Sequence, residues 1–82
     1  GISHNEFDNT IQGWIEAAKL DLTSIGIAQD KVSNPDSLIE TAIITYVLSF
    51  LDVTNSELYS SSYALQKDTL RHVDSYITTS EV

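Results

Sequence analysis

The chain has no cysteine among its 82 residues. That excludes a disulfide staple, a thiolate nucleophile and a cysteine zinc site. Basic residues are nearly as scarce: four Lys and Arg stand against twelve Asp and Glu, for a formal charge of −8. Binding to a phosphate backbone needs clustered cations, and Lys19, Lys31, Lys67 and Arg71 are scattered. Only Lys67 and Arg71 share a helix face, with Asp74 three residues beyond, which reads as a solvated, locally paired helix edge. There is one proline and there are three glycines, with no glycine-rich loop, internal repeat or strand pattern. Signal, transit and lipidation motifs are missing too, and Gly1, a poor natural start, reads as a tag remnant or a trimmed N-terminus.

Chemistry-bearing constellations are equally thin. The two histidines, His4 and His72, have no second ligand at metal-binding spacing. The acidic pairs Asp8/Glu16 and Asp68/Asp74 read as surface charge. No phosphate loop, nucleophile elbow or calcium loop is present. The expectation is a protein without catalytic residues, metal or cofactor, and not an enzyme.

What is there is helix. Residues 38–53, LIETAIITYVLSFLDV, place Ile39, Ala42, Ile43, Tyr46, Val47 and Phe50 on one face at helical period. Ile44, Leu48 and Leu51 carry that face round the side, leaving a seam of Thr41, Thr45 and Asp52. A helix so nearly apolar all round needs cover on more than one side. At sixteen residues with polar interruptions, it is short of a membrane span. Asn34 reads as its cap and Pro35 as its first helical residue.

Before it, Ser3–Glu6 form a capping-box pattern, and Phe7, Ile11, Trp14, Ile15, Ala18, Leu22 and Ile25 repeat at helical spacing. Gly13 suggests a close helix approach, Gly26 a left-handed stop. Residues 27–33 read as a polar connection. After the central helix a very short cap cluster, Thr54 to Glu57, leads into a stripe of Tyr59, Tyr63, Gln66, Leu70, Val73 and Ile77. So tight a join predicts antiparallel packing of the second and third helices. The fold class expected is all-α, a small bundle of three main helices at about 4–25, 35–52 and 55–77, in one domain over 1–82 with a frayed tail at 78–82. A core this small gives only about 3–5 kcal/mol by itself. Homo-oligomerisation is the remaining common stabiliser, with Leu20, Ile44, Leu48 and Leu51 as the interface candidates.

Two resemblances bear on function. Asp36-Ser37-Leu38 matches the short motif that carries the phosphopantetheine arm in acyl and peptidyl carrier proteins, which are also small, acidic and helical. That makes Ser37 a cofactor-attachment candidate in this alternative. The surroundings favour a cap role for Ser37, because Pro35 and a short loop stand where carriers have a longer loop and a glycine.

Three patches in series resemble the head–tail connector (head-completion or adaptor) proteins of tailed bacteriophages and prophages. They are Ile15-Glu16-Ala17-Ala18-Lys19-Leu20-Asp21-Leu22 with Gly26-Ile27, then Leu38-Ile39-Glu40-Thr41-Ala42-Ile43-Ile44-Thr45-Tyr46-Val47, then Tyr63-Ala64-Leu65-Gln66-Lys67-Asp68-Thr69-Leu70. Order and spacing agree over about residues 3–75. The chain departs from that family in having Asn34-Pro35 where Asp-Pro is usual, and in lacking its lysine and aromatic-glycine pair after Val47. The resemblance implies a structural virion protein at the head–tail interface, made in the host cytoplasm. It would form a ring that extends the DNA channel between a portal protein and a tail-side completion protein. DNA would pass an acidic wall without specific binding, and no membrane is involved. A third reading is some other small helical interaction module.

Overall fold

The first long helix, α1, runs His4–Ser24, and the way it stops sets the direction the chain takes next. The structure, a computed structural model, describes residues 4–77, with side chains from Phe7 onward. Gly26 adopts φ 106°, a left-handed conformation that costs glycine nothing. Its N–H donates to the Thr23 carbonyl at 3.0 Å, and the Ile27 N–H donates to the Leu22 carbonyl at 3.2 Å. These are the paired bonds of a Schellman stop. Leu22 and Ile27 are both buried, so the core itself clamps the turn. Gly26 therefore does what its sequence position predicts. Gly13 does not: a Cβ there would meet nothing within 4 Å, so no helix approaches it. Ser3 and the tail at 78–82 lie outside the described residues, as do the side chains of the Ser3–Glu6 box.

Residues 27–33 are more than a connection. They contain a short helix, α2, at Gln29–Ser33, whose Val32 is fully buried. One apolar side chain anchored in the core is enough to curl this polar stretch. The central helix, α3, then runs Ser37–Leu51. Its cap is Asp36, not Asn34: Asp36 Oδ1 accepts from the Leu38 and Ile39 N–H groups, both at 3.1 Å. A carboxylate there satisfies two orphan donors at once, so the helix starts two residues later than Pro35 suggested. Thr45, expected on the polar seam, is buried. Its hydroxyl donates to the Thr41 carbonyl at 2.8 Å, which satisfies the group within its own helix.

A 3-10 turn at Val53–Asn55, capped by Asp52, leads into α4, Ser56–Leu70. The chain turns through 110° between α3 and the 53–70 segment, so the two helices cross obliquely instead of running antiparallel. α4 stops at Leu70, short of the expected residue 77. Residues beyond it form a second 3-10 turn, Asp74–Tyr76. There the Ala28 N–H donates to the Tyr76 carbonyl at 2.7 Å, and Ile27 and Ile77 pair as an isolated antiparallel bridge. Tyr76 is buried and donates its phenol hydrogen to Asp36. Tertiary contacts thus override local helix propensity at this end. The architecture is an all-α small bundle: three long helices as expected, plus α2. One core joins Leu22, Ile27, Val32, Ile39, Tyr63 and Leu70.

Candidate functional site

An α-helix as apolar as α3 has more apolar circumference than two neighbours cover. α4 crosses one side and α1 packs on another. The side left open is an apolar groove between α1 and α3, with a volume of about 460 Å³. Ile43 and Val47 are its buried floor, and half-buried Ile11 and Ile15 are its α1 wall. Along the α3 edge stand Ile44, 52% exposed, half-buried Leu48, and Leu51, 40% exposed. Three of the four interface candidates thus share one groove. Leu20 does not belong to it: at 71% exposure, it sits on the far side of α1.

The polar lining of the groove carries one charge of each sign. Lys19 and Glu40 line it. Lys19 Nζ is 3.9 Å from Glu16 Oε2, which also accepts a hydrogen bond from Gln12 Nε2 at 2.8 Å. The one cation is therefore already beside an anion, while exposed Glu40 adds another negative charge. A smaller cleft of about 220 Å³ lies between α3 and α4, lined by Leu38, Thr41, Leu65, Gln66, Thr69 and Leu70. Gln66 Oε1 is buried there without a hydrogen-bond partner among the described residues.

Ser37 is exposed at the first position of α3. Its neighbour Asp36 is fully engaged with two backbone N–H groups and the Tyr76 phenol. The Tyr76 hydrogen bond, helped by those N–H groups, holds the Asp36 carboxyl below its ordinary range, and the same bond raises the Tyr76 phenol. Helix capping accounts for Asp36, while the Ser37 side chain beside it is exposed.

A second polar cluster was not legible as such. Asp21 on α1 accepts from the Tyr63 hydroxyl at 2.8 Å and from Lys67 Nζ at 2.9 Å, both on α4. Lys67 also lies 5.0 Å from the Tyr63 ring centroid. Lys67 is thus a cross-helix partner rather than part of a solvated edge, whereas Arg71 is paired locally, 3.5 Å from Asp68. Burial pushes the Asp21 carboxyl up, but the hydrogen bonds from Lys67 and Tyr63 outweigh it and lower its pKa. Burial first, then Asp21, raise the Tyr63 phenol, so the tyrosine stays protonated and donates. The signal that could have pointed here is Asp21 falling next to Leu22 in the buried stripe, a carboxylate at its edge. Nearby, Trp14 stacks on Phe50 with centroids 5.4 Å apart, and Tyr46 bridges Phe50 and Tyr63. The Asp21 cluster and the aromatic contacts both fasten helices together.

Among the described residues no three His, Cys, Asp or Glu side chains gather as a metal-binding group. No single helix among them is long and apolar enough to cross a membrane. Comparison with protein-family models, curated proteins and solved structures finds no match.

Proposed function

We propose that this chain is a structural, non-enzymatic component of a tailed-phage virion that joins the portal vertex of the head to the tail. The observation that carries the reading is the serial resemblance of three patches to head–tail connector proteins. Those patches fall on the second half of α1 with its Gly26 stop, on α3, and on the second half of α4. Their apolar members Leu22, Ile27, Ile39, Ala42, Tyr63 and Leu70 meet in one core, so the likeness concerns a consistent set of packing residues. Two physical features support the role. A short domain with Leu20, Leu58, Leu65 and the α1–α3 groove exposed has apolar surface to spend on neighbours. A charge of −8 suits a ring through which DNA slides without sticking.

The reading places the protein at the head–tail interface of the particle. It is assembled in the host cytoplasm, contacts copies of itself, the portal and a tail-side completion protein, and uses no cofactor. Cryo-electron microscopy and mass spectrometry of purified particles test it. The chain is expected in several copies below the portal, and its absence from finished particles would refute the reading.

A further inference from the structure

We infer that residues 71–77 form a strap that is exchanged between copies of this chain, the Tyr76 and Ile77 of one copy seating on Ile27, Ala28 and Asp36 of another. The chemistry of the occupant is on view, because each chain fills its own slot. The Ala28 N–H donates to the Tyr76 carbonyl at 2.7 Å, Ile27 and Ile77 form an antiparallel bridge, and the Tyr76 phenol donates to Asp36. Tyr76 is the buried residue of the strap, while Arg71, His72, Asp74 and Ser75 are exposed. The groups that hold the strap lie far back in the chain, Asp36 being 40 residues from Tyr76. They therefore fit the same segment of a neighbour equally well.

The turn that returns the strap to its own slot is short and has a competitor. The chain bends within Arg71–Val73, between the end of α4 and the 3-10 turn at Asp74–Tyr76. Yet the apolar stripe of Tyr63, Leu70, Val73 and Ile77 keeps helical period past Leu70, and Arg71 already has helical angles, φ −72° and ψ −6°. Continuing α4 through Val73 lengthens it by about 4.5 Å and carries the strap away from its own slot. The emptied slot has an unpaired Ala28 N–H, an Asp36 oxygen without its phenol, and the space left by the Tyr76 ring. The strap of a second copy restores all three. Closed and exchanged forms share these contacts, so the turn and the concentration set the balance between them. The end of α4 itself stays in place through buried Leu70 and the Lys67–Asp21 pair. Exchange passed from copy to copy is head-to-tail, the kind of contact that closes into rings. The inference goes beyond the connector reading and needs only a second copy of this chain, in a virion or out of one.

The test refolds the full chain from urea at low and at high concentration and separates the products by size-exclusion chromatography with light scattering. An oligomer is expected at high concentration. When isotope-labelled and unlabelled copies are refolded together, isotope-filtered NMR should show contacts between the Ile27 methyls of one copy and the Ile77 methyls of another. Those contacts are expected in the oligomer and not in the monomer. A run of glycines inserted between His72 and Val73 relaxes the turn and breaks the longer helix. It should reduce the oligomer at least tenfold while the monomer keeps its helical circular dichroism. A chain that stays monomeric at high concentration would overturn the inference. So would an oligomer without Ile27–Ile77 contacts between copies, or one that the glycine insertion leaves undiminished. None of these outcomes touches the location of the chain in virions, so this inference and the connector reading fail separately.

Discussion

Asp21 shows how one side chain decides whether a small bundle holds its outer helix. Its carboxylate accepts from Tyr63 and Lys67 across the α1–α4 contact, and its pKa is lowered in the fold. A lowered folded pKa gives stability that is fully present above the unfolded value, ordinarily 3.8, and is lost as pH falls through the folded value. Asp21→Asn should therefore cost about 1–2 kcal/mol at pH 7, as expected for a partly exposed charge-assisted pair. The difference from the parent chain should shrink below pH 4, which denaturant titrations at both pH values would measure. Gly13 makes the opposite case. With open space beside it, Gly13→Ala should raise stability by about 0.5–1 kcal/mol through helix propensity and unfolded-state entropy. A melt that falls would mean that the glycine has a role the structure does not reveal. Gly26 was legible from its position after the apolar stripe; Gly13 was misread, because sequence shows that a residue is small and not whether anything comes near it.

At the scale of elements, the three long helices were legible because each carries a long periodic apolar stripe. The boundaries of α3 and α4 are where the elements depart from that reading. α3 is capped by Asp36 and not by Asn34 because the Asp36 carboxylate satisfies two N–H groups. α4 stops at Leu70 because Tyr76 and Ile77 find partners forty to fifty residues back, at Asp36 and Ile27. Periodicity cannot register a strap formed by such long-range pairing. Tyr76→Phe, which removes only the hydroxyl, should lower hydrogen-exchange protection at the Ala28 N–H while sparing the middle of α3. Equal loss throughout would show that the strap is not a separable unit. The two faces of α3 should also respond differently. Ile39→Ala empties a fully buried position and should cost about 2–5 kcal/mol. Ile44→Ala, on a residue 52% exposed, should cost about 0.5 kcal/mol or less. Similar losses at both positions would mean that Ile44 belongs to the core.

For the whole molecule, the sequence alone indicates surplus apolar surface on α3. Ile44, Leu48 and Leu51 do converge on one groove, while Leu20 stands alone on the opposite side of α1. What no periodicity could supply was the other wall, since Ile11 and Ile15 meet α3 only once the Gly26 stop has folded the chain back. The resulting molecule has an interior of interlocked helices and an exterior that is acidic and partly apolar, a shape suited to being packed against. The connector reading rests on that surface together with the three resembling patches. Its most direct test is electron microscopy of particles assembled in a host where the gene for this chain is interrupted. The account predicts DNA-filled heads and separate tails, with joining restored when the intact chain is supplied. Tailed, infectious particles at normal yield in its absence would contradict it.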